Sequence, residues 1–142
     1  KQNHFSSVST LGCVANEAAY REGAEWVDQM LAYVDDNHKF LRDYVAKNMP
    51  TVGYNDPEGT YLTWLDFSKT MDAIGAAEKA AEKDTDPELY FQDWLVMNSG
   101  VYLNPGSTYG KGGPGNMRFN LGSSRMVVKE ALDHLAKAVN NV

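Results

Sequence analysis

Apolar positions first recur along this chain at helical spacing, then change period, then return to it. Over Ser9 to Arg21, Leu11, Val14, Ala15, Ala18 and Ala19 make a small-residue apolar face, and Gly23 breaks the pattern. A second helical pattern runs from Ala24 to about Asn48. Trp26, Val27, Met30, Leu31, Val34, His38, Leu41, Tyr44 and Val45 follow the three-and-four spacing until Pro50 stops it. Some 25 residues is long for a globular helix, and such a helix often runs from one domain to another. The period then shortens. Val52 to Tyr54 reads as a short strand, Asn55 to Gly59 (NDPEG) as a turn, and Thr60 to Phe67 (TYLTWLDF) as a second strand, which together predict a hairpin with Trp64 in the core.

Lys69 to Lys83 is rich in alanine and charge and reads as one surface helix. Asp86 as N-cap and Pro87 at the first helical position start another, which runs to about Asn98 and ends at Gly100. Val101 to Leu103 and Met117 to Leu121 read as strands on either side of a glycine-rich loop. Ser123 or Ser124 then caps a last helix to about Val139, with Val127, Val128, Ala131, Leu132, Leu135 and Val139 facing inward. The predicted fold class is α+β. Helices cover a small antiparallel or mixed sheet, preceded by a long connecting helix, with a division between residues 1–48 and 49–142.

Composition narrows the partners. With 142 residues, 43% hydrophobic and three Trp, the chain can bury one sizeable core. A formal net charge of −6 argues against nucleic acid or an anionic membrane as the main partner. No apolar run approaches the ~20 residues of a membrane span, and no secretory signal opens the chain. Cys13 is the only cysteine and cannot form an internal disulfide, which fits a reduced, cytoplasmic setting. The chain opens on Lys1 rather than Met, so a cut end is expected there. His4, His38 and His134 show no metal spacing with one another or with Cys13, and His38 reads as a packed histidine. Asp35, Asp36 and the acids from Glu78 to Glu88 read as solvated faces.

The densest chemistry lies between Val101 and Gly122, VYLNPGSTYGKGGPGNMRFNLG, a run holding six glycines and two prolines, with Arg118 on an alternating strand near its end. A guanidinium on a rigid strand beside a loop of bare backbone is suited to gripping a carboxylate. The plainer alternative is an edge-strand arginine paired to an acid, beside a loop that only connects and whose Lys111-Gly112-Gly113 is exposed. That loop lacks the order of a phosphate-binding loop.

Three segments together resemble the C-terminal part of a fold-type I pyridoxal-phosphate enzyme of the class I/II aminotransferase family. They are ANEAAYREG from Ala15, PEGTYLTWLDF from Pro57, and Leu103-Asn104-Pro105-Gly106-Ser107 through Arg118-Phe119-Asn120. Their wording is most similar to the cystathionine β-lyase-like carbon–sulfur lyases, and the similarity runs in order along essentially the whole chain. The resemblance implies that Arg118 binds the substrate α-carboxylate, that Gly59 and Thr60 line the substrate side of the cleft, and that Asn104 to Ser107 with Tyr109 and Gly110 form the loop leading to that arginine. It implies pyridoxal phosphate in the intact parent, a large cofactor-binding domain missing from this chain, an amino-acid substrate and a homodimer. The cofactor-bearing lysine of the family lies upstream of the segment where this chain begins. Lys69, in Ser68-Lys69-Thr70, follows the TYLTWLDF strand and so is not its counterpart, and Lys1 lies too near the first helix. No catalytic residue is therefore expected here, and the fragment is expected to be inactive. Lyases and aminotransferases share all these parts. The rival reading is a free-standing, non-catalytic α+β module that binds a carboxylate ligand or a protein partner.

Overall fold

The computed structural model describes residues 9–142. Lys1 and His4, named above, lie outside them. The chain divides into two compact units, residues 1–35 and 36–142. In the first, Ser9 caps helix α1 (Thr10–Glu22) by accepting the Gly12 N–H, and Gly23 separates α1 from α2 (Ala24–Asn48). No residue of α1 is buried. The apolar face expected on the first half of α2 is likewise uncovered, with Trp26 66% exposed and Leu31 55%.

The second unit begins within α2, whose Leu41 and Val45 are buried, as Met49 is just beyond it. A four-stranded sheet follows, in the order β1-β2-β4-β3 and antiparallel throughout: β1 (Gly53–Tyr54), β2 (Leu62–Asp66), β3 (Asn104–Pro105) and β4 (Asn116–Asn120). The β1–β2 hairpin forms as expected. Residues on β2 and β4 alternate between faces. Leu65, Met117 and Phe119 point to the core, where they join Phe91 and Leu95 of α5 (Pro87–Ser99) and Val128, Leu132, Leu135 and Val139 of α6 (Arg125–Val139). Asp86 caps α5, with Pro87 at its first position, Gly100 ends it at φ +71, and Ser124 caps α6.

Four local expectations change. The Lys69–Lys83 helix is two, α3 (Ser68–Ala73) and α4 (Ala76–Glu82), because Gly75 takes the left-handed conformation at φ +65. Nor is it simply superficial, since Thr70, Ile74, Ala76 and Ala80 are buried. The strand expected at Val101–Leu103 forms instead at Asn104–Pro105, where the register against β4 offers partners, while the Leu103 carbonyl accepts from Gln92 Nε2 at 2.6 Å. On α6, Val127 faces solvent, and Ala136 and Ala138 complete the inner face. Among the acids expected to be solvated, Glu88 is only 4% exposed.

Candidate functional site

The sheet face opposite the core is where the chemistry collects. Trp64 on β2 and Asn104 on β3 are the register partners of Arg118 on β4, so alternation places all three on that face, side by side across three strands. The one aromatic expected in the core, Trp64, is therefore half-buried on the open side. Tyr109 comes in from the glycine loop, where Gly106–Tyr109 form one 3₁₀ turn. Its ring meets Trp64 edge-on at 5.2 Å and lies 5.0 Å from the Arg118 guanidinium carbon. This cation–π contact occupies the ring's face and uses none of the guanidinium's hydrogen-bond donors in a conventional hydrogen bond. Among the described residues Arg118 has no carboxylate within ion-pair distance. A half-buried guanidinium with no carboxylate partner among the described residues is suited to receive a carboxylate. The edge-strand ion pair of the plainer reading is absent, and β4 is an inner strand.

Beside this cluster lies an open cleft of about 390 Å³, with Trp64, Tyr109, Asn116, Gly113, Asp56 and Pro57 among its walls. Arg118 is not on its wall; Tyr109, which is, covers the guanidinium.

Gly59 and Thr60 sit elsewhere. They precede β2, four or more residues along the chain from Trp64, and nothing comes within 4 Å of where a Gly59 Cβ would be. The left-handed backbone at this turn falls on Thr60, at φ +69, and not on the adjacent glycine. A β-branched residue there is strained by about 1–2 kcal/mol. Two contacts hold it: His38 Nε2 lies 2.9 Å from the Thr60 carbonyl, and the Leu62 N–H donates to Thr60 Oγ1 at 3.0 Å. His38 Nδ1 in turn lies 3.2 Å from the Tyr54 hydroxyl. Burial, reinforced by the Asp56 carboxylate, pushes the Tyr54 phenol up to about 12. The structure thus brings Arg118, Asn104 and Tyr109 together with Trp64, and leaves Gly59 and Thr60 at a separate, strained turn that His38 fixes.

Two residues with work at this site read as ordinary in the sequence. Trp64 looked like core because a tryptophan in an apolar strand usually is. Glu88 looked like a first-turn surface acid, yet its Oε2 accepts the Ser107 N–H at 2.9 Å and its Oε1 the Gly115 N–H at 2.5 Å. No pattern in the chain signals this, since the partners are 19 and 27 residues away.

Much of the glycine loop's backbone is committed to internal hydrogen bonds. The Ser107 and Gly115 N–H groups go to Glu88, and those of Gly110, Gly113 and Asn116 go to the carbonyls of Ser107, Gly110 and Gly113. Those five donors are therefore not available to a phosphate, which is bound by a set of free N–H groups. Lys69 and Lys111 are both exposed. With these amides committed, the loop does not fit as a seat for the phosphate of pyridoxal phosphate. Among them no group of three or more His, Cys, Asp or Glu side chains could hold a metal ion, and no helix is long and apolar enough to cross a membrane.

No protein-family model matches the chain. Individual relatives do. A Mycobacterium leprae protein provisionally designated a cystathionine beta-lyase is 37% identical over 135 residues, which is 94% of this chain and 33% of that protein. The cystathionine beta-lyase PatB of Bacillus subtilis is 31% identical over 140 residues, again 33% of its length. Among solved structures, the pyridoxal-phosphate-bound C–S lyase of Staphylococcus hominis superimposes with a TM-score of 0.77 at 31% identity, over 96% of this chain and 33% of that one. The chain therefore spans about a third of the length of the relatives it matches.

Proposed function

We propose that this chain, homologous over nearly all its length to about a third of the cystathionine β-lyases and C–S lyases of fold-type I, supplies the substrate-binding side of such an enzyme. One observation carries the reading: Arg118 is half-buried, unpaired among the described residues and backed by Tyr109. Its two parallel N–H donors would receive the α-carboxylate of an amino acid, giving direction as well as charge. Charge-assisted hydrogen bonds of this kind contribute roughly 1.5–3 kcal/mol each in net terms. Pinning the carboxylate sets the orientation about the substrate Cα, and so which bond stands ready to break. Asn104 stands beside Arg118 in the sheet, whereas Gly59 and Thr60 lie on the turn before β2 and are not among the walls of the cleft.

In the whole enzyme, pyridoxal phosphate supplies the electron sink. Its lysine and phosphate cradle belong, on this reading, to a large domain outside this chain, and the complete sites to a homodimer. This chain alone is inactive. Carbon–sulfur lysis is the reading we favour over transamination, because the curated relatives named for cystathionine beta-lyase are 31–37% identical and the aspartate aminotransferase of Pyrococcus horikoshii 24%; a solved Clostridium difficile protein described as an aminotransferase, at 36% identity, makes the assay below the deciding test.

The test is kinetic. In the full-length enzyme Arg118→Ala should lower kcat/KM about 10²-fold or more; near-wild-type kinetics would overturn the assignment. Assay with cystathionine, and separately with a 2-oxo acid acceptor, separates lyase from aminotransferase. Borohydride treatment of this chain mixed with pyridoxal phosphate should leave no fixed adduct, and one on Lys69 would refute the placement of the lysine elsewhere.

A further inference from the structure

We infer that Glu88 is a positioning residue for the substrate-binding loop: its buried carboxylate clips the two ends of that loop together and so seats Tyr109 on Arg118. The inference rests on the carboxylate-binding reading of Arg118 only for its functional meaning, since the geometry stands apart from it.

Glu88 lies in the first turn of α5, where the helix dipole favours a negative charge. It is 4% exposed, and among the described residues it has no cation within ion-pair distance. A buried carboxylate is costly unless hydrogen bonds satisfy it. Here the satisfying donors are two backbone N–H groups, Ser107 before Tyr109 and Gly115 after it. The clip therefore spans the loop at its neck. The neck is also pressed backbone to backbone: a Cβ on Gly106 would fall 2.1 Å from the Gly113 carbonyl oxygen, and one on Gly113 would fall 1.9 Å from that of Gly106. Only glycine permits this approach, and it brings the two N–H donors within reach of one carboxylate. Gly115 is further fixed to the end of β2, where its carbonyl accepts the Phe67 N–H at 2.9 Å. With both ends held, the exposed Tyr109 has little freedom to leave Arg118 and Trp64. An exposed tyrosine on an unfastened glycine-rich loop would not keep that position.

Glu88→Gln keeps the shape and removes one acceptor, so its amide NH₂ must face one of the two N–H donors. On the 142-residue chain, NMR should show the Arg118 side-chain protons shifted by the Tyr109 ring current, and slow exchange of the Ser107 and Gly115 amides. In Glu88→Gln the exchange of at least one of these amides should accelerate about tenfold, while Leu65 and Met117 amides keep wild-type protection. The Arg118 shift should move to its value in Tyr109→Ala. Ser107→Pro, which deletes one donor and leaves the buried Glu88 in place, should do the same and guards against a Glu88 variant that fails to fold. An unchanged Arg118 shift in both variants, or unchanged exchange of both amides in Glu88→Gln, would overturn the clip. Titration with propionate separates the two readings. If wild type and Arg118→Ala respond alike to propionate, the carboxylate site fails, while the exchange and ring-current data still decide the role of Glu88.

Discussion

Arg118 illustrates how much one side chain owes to its neighbours. Its charge and strand were visible in Met117-Arg118-Phe119, and alternation alone put it opposite the core-facing Met117 and Phe119. What supports the proposed binding role is the Tyr109 ring beside it and the lack of a carboxylate partner among the described residues, and neither can be read from spacing. The fork matters more than the charge. Arg118→Lys in the full-length enzyme should therefore recover only a small part of the kcat/KM lost in Arg118→Ala, and full recovery would show that charge alone suffices. The glycines divide by mechanism. Gly106→Ala drives a Cβ into the Gly113 carbonyl and should cost about 1–3 kcal/mol of stability in urea denaturation, with loss of the Tyr109 contact. Gly100→Ala meets nothing within 4 Å, but its φ of +71 should still cost about 1 kcal/mol, without disturbing the loop. Equal effects on the loop from both variants would contradict this division.

Among the elements, α5 was the most legible. Asp-Pro-Glu announced its start and Gly100 its end, because caps are local chemistry. Asp86→Ala should cost about 1 kcal/mol, read from the urea midpoint, since Asp86 Oδ1 accepts from the Glu88 and Leu89 N–H groups. A second prediction concerns α2 and α6, joined where the Tyr44 hydroxyl donates to Asp133 Oδ1 at 2.6 Å. Burial, then this bond, pushes the Tyr44 phenol up to about 12 from its ordinary 10. A folded-state value raised above the unfolded one means that the contribution is whole below pH 10 and disappears as pH rises towards 12. Tyr54, also raised to about 12, adds to the same decline. Stability measured at pH 9 and pH 11 should therefore fall less in Tyr44→Phe than in wild type, and an identical fall would refute the link. Asp133 acts at the other end of the scale. Lys129 first, and Tyr44 second, hold its carboxyl below the usual range, so its contribution is present above the ordinary carboxylate value and fades as pH falls through the lowered one.

At the scale of the whole molecule, the two units differ in how they bury their apolar residues. The unit of residues 36–142 has a continuous core, whereas in the described part of residues 1–35 Leu11, Tyr20 and Trp26 are each more than 60% exposed. Exposed apolar faces of this extent favour association. Sedimentation velocity should show concentration-dependent self-association that Trp26→Ser with Leu31→Ser weakens, and a monomer at every concentration would refute it. The sequence by itself determined what is local or periodic: the helix boundaries at Gly23, Asp86 and Gly100, the start of the last helix to within Ser123 or Ser124, the hairpin, the alternation of β4, and the wording shared with the carbon–sulfur lyases. Those features depend on a residue and its near neighbours, so the chain carries them openly. Tertiary structure decided the rest. It moved the third strand to Asn104–Pro105, turned Trp64 to the open face, placed the left-handed strain on Thr60, and buried Glu88 between two loop amides. Each of these depends on a partner brought from far along the chain, whose position only the packed sheet and helices define.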